Sequence, residues 1–316
     1  MLEDGFRAVT LSQLQDGELG GGAEELLVVL GDVAQCSGVV PAMLKPVISQ
    51  LPRAIGLQFG DRNFAWEFGE QVSEFDARRE FHDVMDLVRT SEAYESSAPH
   101  SDAAWDDAVH SRVLEIALRD LPSVRWHKIL GSDASDTKLV DYAIVLNPSA
   151  VLQRALPLAL DRESAAAPAT DAPPQQQSVN PTPYPLDPIC VSIATAPPRG
   201  DVSQTRARLA AWGAAHLRRL AALRRACSAG APEPAPALPT LPVVLVVGAA
   251  WDLYFVRMAA DDDDDAGVVD VIGNQPVGDT KTLLGAYRLL CGLRGIAGWA
   301  AAMEAWLEET TGLVAG

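Results

Sequence analysis

Asp141 is a lone carboxylate inside the apolar run Lys138-Leu-Val-Asp-Tyr-Ala-Ile-Val-Leu146. The run is short and β-branched, so it reads as a buried strand. A charge in such a place is costly unless it is paired or bound to a metal ion. Asp141 is therefore either a metal ligand or the partner of a nearby arginine or backbone amide. A second run, Ile189-Cys-Val-Ser-Ile-Ala-Thr-Ala196, reads as another buried strand. Its residues 194 and 196 are two apart and share one face. A metal-binding acid and a lysine at such positions, beside Asp141, could hold a cation and a reactive water. Both positions are alanine, Ala194 and Ala196.

Other side chains carry weaker chemical signals. Glu115, between Leu114 and Ile116, reads as a solvated residue or as an acid facing inward at a boundary. Seven arginines lie between residues 199 and 225 against one acid, Asp201, a net +6 in an acidic chain. Arg206 and Arg208, in the first turns of the helix expected there, stand nearest the Ala194–Ala196 strand end and could meet a phosphate. The five aspartates 261–265 lack the alternation and distal glutamate of a calcium loop and read as a charged hairpin tip. His110 and His216 read as packed or capping histidines rather than bases. There is no Gly-rich phosphate loop and no Gly-x-Ser-x-Gly.

The elements that must position these residues follow from periodicity. Val72, Phe75, Phe81, Val84 and Leu87 give a helix over about 70–92, and Trp105, Val109, Val113 and Ile116 give a second over 102–118. Strands are expected at 124–131, 138–146 and 189–196, a long helix at 203–227, strands at 243–248, 251–257 and 268–273, and a helix at 280–309. This is an α/β order: a mixed central sheet with covering helices. Residues 161–188 and 228–242 are rich in Pro and Ala or Gln and read as disordered inserts or linkers. Residues 1–69 read as a loose lead-in, partly helical or disordered, with one short helix around Leu26–Leu30.

Composition bounds the classes. The 316 residues are 48% hydrophobic and 21% charged, as in a globular chain with ample core. A net charge of −17 opposes non-specific grip on nucleic acid or an anionic membrane while leaving room for a local basic surface. It also suits a protein partner docking on an acidic face. Four scattered cysteines without Cys-x-x-Cys read as reduced thiols of an intracellular protein, nuclear or cytoplasmic rather than secreted. No apolar stretch is long enough to span a membrane, and the start lacks the pattern of a signal peptide.

Several segments together resemble the PD-(D/E)XK nuclease superfamily, in particular a group of nuclease-like proteins common in filamentous fungi. Trp105-Asp-Asp-Ala-Val-His110 resembles that group's Trp-Asn-x-x-Val-His helix, and Leu139-Val-Asp-Tyr142 its Met-Val-Asp-Tyr strand. Trp251-Asp-Leu-Tyr-Phe-Val256 is similar to Asp-Trp-Tyr-Phe-Val. Val277-Gly-Asp-Thr-Lys-Thr-Leu-Leu-Gly-Ala-Tyr287 is similar to Ile-Gly-Ser-Thr-x-x-Leu-Leu-Gly-Ile-Tyr. The match covers roughly residues 70–316. It implies a restriction-endonuclease-like fold and hydrolysis of phosphodiesters in nucleic acid, DNA in preference to RNA, with Mg²⁺ or Mn²⁺. It further implies Asp141 as the retained strand acid, Glu115 as the helix acid, the Thr195 carbonyl as a third metal ligand, and Arg206 and Arg208 as phosphate contacts. The group's Ile-Glu-Thr-Lys appears here as Ile193-Ala194-Thr195-Ala196, so the acid and the lysine are missing. The resemblance thus implies weakened metal binding and a chain that cuts poorly or not at all. A non-catalytic interaction module is the alternative. Deliberate inactivation produces just such a pair of alanines; drift in an alanine-rich chain is the other origin.

Overall fold

The computed structural model describes residues 6–15, 17–56, 58–65, 73–97, 101–129, 140–166, 180, 187–196, 198, 200–228, 235–259 and 268–312. Strands are β1 (Phe6–Val9), β2 (Val40–Pro41), β3 (Phe64–Ala65), β4 (Val124–Lys128), β5 (Tyr142–Leu146), β6 (Ile189–Ala196), β7 (Leu241–Val247), β8 (Ala250–Met258) and β9 (Val269–Asp279). Helices are α1 (Gly21–Ala34), the single turns α2 (Lys45–Ile48) and α3 (Arg53–Gly56), α4 (Glu74–Ser96), α5 (Asp102–Trp105), α6 (Ser111–Leu118), α7 (Ala150–Ala166), α8 (Val202–Ser228), α9 (Leu283–Gly298) and α10 (Ala300–Thr310). Seven strands form one mixed sheet in the order β1-β9-β8-β7-β6-β5-β4. The pairs β6–β7 and β1–β9 are parallel and the others antiparallel. Helix α8 lies against β6, β7 and β8; α9 lies against β9 and also meets α1, α4 and α6. The restriction-endonuclease-like α/β expectation is met.

Burial on both faces explains the near-continuous apolar runs of the central strands. Every residue of β5 and β6 is buried. Local chemistry sets the helix starts: Ser73 Oγ accepts from Asp76 N–H at the head of α4, and Thr282 Oγ1 accepts from Gly285 N–H at the head of α9. Strand β9 runs six residues beyond its apolar start. Gly273 (φ +150°) takes a backbone shape closed to other residues there, where the register with β8 shifts.

Three local expectations are revised. Residues 150–166 form α7, with Pro157 inside it, so the segment expected to lose order at 161 stays helical to Ala166. The expected single helix over 280–309 is two, broken at Trp299. The lead-in supplies a strand: β1 pairs with β9, and Asp270, without exposed surface, takes Arg7 Nε at 2.6 Å and Arg257 Nε at 3.2 Å. Helix α1 packs on α9, burying Leu26 and Leu30. The aspartate run 261–265, most of the low-complexity insert and Lys138–Leu139 lie outside the described residues. No helix among the described residues is long and apolar enough to cross a membrane, and the four cysteines are unpaired with one another.

Candidate active site

The end of β6 gathers the buried polar side chains. Asp141 immediately precedes β5; its N–H donates to Ile193 O at 2.8 Å, and Ile129 N–H donates to Asp141 O at 2.8 Å. The carboxylate is buried, and its Oδ2 accepts the Thr195 backbone N–H at 2.7 Å. A buried carboxylate thus finds an amide donor, one of the two roles open to it.

Thr195 turns its hydroxyl the other way. Oγ1 donates to Asp106 Oδ1 at 3.1 Å. Asp106 begins a π-helical turn, Asp106–His110, between α5 and α6. Such turns often mark sites. Here the turn carries Asp106 and His110, four apart, so that His110 Nδ1 meets Asp106 Oδ1 at 3.1 Å. The other ring nitrogen, Nε2, meets Gly248 O at 2.8 Å. A carbonyl oxygen only accepts, so Nε2 carries a proton. Burial pushes the Asp106 carboxyl up, but the hydrogen bond and charge of His110, the Thr195 hydroxyl and the charge of Lys128 hold it below its ordinary value. The pair is buried, with His110 about 1% exposed and Asp106 about 4%. Tyr142 Oη donates to Asp106 O at 2.9 Å, and burial, followed by nearby carboxylates, pushes its phenol up and keeps it a donor. His110 also stacks on Trp105 and meets Trp251 edge-on, each at 5.8 Å.

Strand alternation separates two sides. Ser192 Oγ accepts from Trp212 Nε1 of α8 at 2.7 Å, so residues 192, 194 and 196 face α8 while Thr195 faces α5 and α6. Ala194 and Ala196 are buried on that α8 side, and their side chains end at Cβ. Ala194 stands opposite Leu245 of β7, which stands opposite Asp252 of β8. Burial raises the Asp252 carboxyl. Arg206 is exposed near the start of α8, where its charge and hydrogen bond oppose the burial that raises the Tyr254 phenol of β8. Arg208 is half-buried, and its Nε has no hydrogen-bond partner among the described residues.

Glu115 is not brought to this cluster. It is half exposed on α6, with Oε2 2.8 Å from Arg112 Nη1, and Arg112 turns to Asp83 of α4. The helix residue that reaches the strand end is Asp106. Its sequence signal was an acid and a histidine four apart on one helix face, hidden by the surface-like pair Asp106-Asp107. Thr195 contributes its N–H and hydroxyl here. The donor set does not fit a divalent metal: on the alanine side Asp141 and Asp252 stand three strands apart, and Asp106 approaches from the other side, paired with His110. Among the described residues no three His, Cys, Asp or Glu side chains converge on a metal-binding arrangement.

No curated protein and no solved structure matches the chain. The family model of the PD-(D/E)XK nuclease superfamily matches residues 53–303, which span β4–β9 and the Asp141–Thr195 contact. With that match over most of its length and a seven-stranded mixed sheet flanked by helices, the chain belongs to the PD-(D/E)XK nuclease superfamily.

Proposed function

We propose that this chain is a nucleic-acid-binding member of the superfamily, acting on DNA in preference to RNA, whose phosphodiester hydrolysis is disabled at β6. One observation carries the reading: Ala194 and Ala196 occupy the two positions beside Asp141 where the family's acid and lysine would stand, and both are buried methyls. Hydrolysis of a phosphodiester needs a group that orients water and a cationic group that meets the charge developing on the phosphate oxygens. A methyl does neither. Asp141 keeps its place, with one oxygen already accepting from Thr195 N–H. Arg206, exposed near the start of α8 and beside Tyr254 of β8, is the side chain we assign to a phosphate contact. Arg208, whose Nε lacks a partner among the described residues, is its neighbour in that role.

The test measures binding of duplex and single-stranded DNA and RNA across a salt series, with cleavage in Mg²⁺ or Mn²⁺. The chain as it stands should bind DNA with an affinity that falls steeply with salt, and should leave it intact. Ala194→Glu with Ala196→Lys should gain cleavage and lose it again on adding Asp141→Ala. Circular dichroism of the double variant reports whether β6 accommodates the larger side chains. Absence of binding to every nucleic acid at low salt would sink the reading and favour a protein partner for the acidic surface.

A further inference from the structure

The pair formed by Asp106 and His110 belongs to no catalytic role assigned so far, yet it touches the strand end from two directions. Asp106 holds the Thr195 hydroxyl. His110 holds Gly248 O, and Gly248 N–H donates to Ala196 O at 2.9 Å. Gly248 has φ +53°, and a Cβ there would come 2.7 Å from Pro198 Cγ, so the β7–β8 turn is closely fitted to the chain leaving β6. One histidine–aspartate pair therefore ties down the end of β6, at Thr195 directly and at Ala196 by way of Gly248. The Thr195 N–H, fixed in this way, is the group that orients Asp141.

We propose that Asp106 and His110 are positioning residues of the site: the pair clamps the end of β6 from behind, through the Thr195 hydroxyl and the Gly248 carbonyl, and so sets the direction of residues 194 and 196 and of the Asp141 carboxylate. The clamp needs an acceptor at 106 and a ring at 110 that reaches both Asp106 and the Gly248 carbonyl. The tie through Gly248 makes the β7–β8 turn part of the same unit. Two neighbouring contacts complete the frame. Tyr142 Oη donates to the Asp106 carbonyl, and Thr280 N–H donates to Ala249 O at 3.0 Å on the far side of the turn. This assignment concerns the chain's own framework and goes beyond the nucleic-acid reading.

Hydrogen exchange of the intact chain, followed by mass spectrometry, tests the clamp without any activity. In Asp106→Ala and in His110→Ala, peptides covering 189–196 and 241–250 should exchange at least about tenfold faster than in the parent, beyond any change in α9 peptides. Asp106→Asn keeps a side-chain acceptor for Thr195 and should restore most of the protection in 189–196. Thr195→Val, which loses the hydroxyl alone, should loosen 189–196 and leave 241–250 protected. If either alanine variant fails to fold, Asp106→Asn and Thr195→Val decide by the same peptides. Exchange that rises uniformly over the sheet, or that does not change at 189–196, overturns the proposal. A second arm uses cleavage by the Ala194→Glu, Ala196→Lys chain. There Asp106→Ala should lower kcat with DNA affinity unchanged, whereas equal loss of affinity and kcat counts against positioning. If that chain does not cut, the nuclease reading fails while the exchange arm still judges the clamp.

Discussion

His216 lies in the middle of α8, fully buried, and its Nε2 has no hydrogen-bond partner. Burial pushes its imidazole down from 6.5 to about 4. Between those values the unfolded chain takes up a proton that the fold refuses. Stability from this residue is therefore intact above about pH 6.5 and declines as pH falls toward 4. At ~1.4 kcal/mol per pH unit, the window is worth ~3 kcal/mol. His216→Leu removes the titrating group at similar volume and leaves no orphaned nitrogen. At pH 7.5 the variant should equal the parent or exceed it by ~1 kcal/mol, the relief of an unpaired buried polar atom. By pH 4.5 its advantage should have grown by more than ~2 kcal/mol. Urea unfolding at a series of pH values reads this directly, as a widening gap in midpoint at constant slope. A gap that stays constant from pH 7.5 to 4.5 would refute the assignment of a buried neutral His216.

Two further perturbations have signs fixed by the structure. A Cβ on Gly278 would sit 2.6 Å from Leu289 N and 2.7 Å from its Cα, both on the backbone of α9, so Gly278→Ala must push helix from sheet. It should cost ~3 kcal/mol, read as a lower urea midpoint, whereas Gly31→Ala, inside α1 with nothing within 4 Å, should raise the midpoint, by up to ~1 kcal/mol. Burial raises the Asp252 carboxyl, so the fold binds a proton the unfolded chain releases, and the ionised form weighs against folding above the carboxylate range. Asp252→Asn should thus melt higher than the parent at pH 7, the two converging as pH falls toward 4.

How much of this was legible depends on how far each element's reason for existing is local. Strands β5 to β8 sit between two layers of helices, and that burial writes itself as runs such as Val243–Val247. Strand β1 has four residues, and what holds it is remote: Arg7 meets Asp270 more than 260 residues away. Helix α7 was masked by its composition, since Pro157 interrupts the helical pattern and the chain from 161 reads as an insert, whereas packing against α8 sustains it. Asp141 was visible because a carboxylate in an apolar run demands an explanation. Glu115 drew the helix-acid role because it sits between two buried residues, but its own direction leads to Arg112. The residue that reaches Thr195 is Asp106, which looks like any solvated aspartate until the π-helical turn aims it inward.

The site also separates into groups that the fold needs and groups that it does not. An acid and a lysine facing substrate from β6 can become alanines at little cost to stability, because small buried residues fill a strand covered by α8. Removing Asp106 or His110 is different, since either change leaves buried hydrogen-bonding groups without their partner, at ~1–3 kcal/mol. Thr195 stands between the two groups, with its N–H serving Asp141 and its hydroxyl serving Asp106. On the proposed reading, loss of catalysis would erase the residues at 194 and 196 before it reached the frame that aims them. The pattern in this chain has that asymmetry: the frame is complete and satisfied, and the two side chains it would present are methyls. A chain relieved of catalysis but still binding nucleic acid would keep this frame for stability alone, and the Asp106–His110 pair would outlast the chemistry it serves to position.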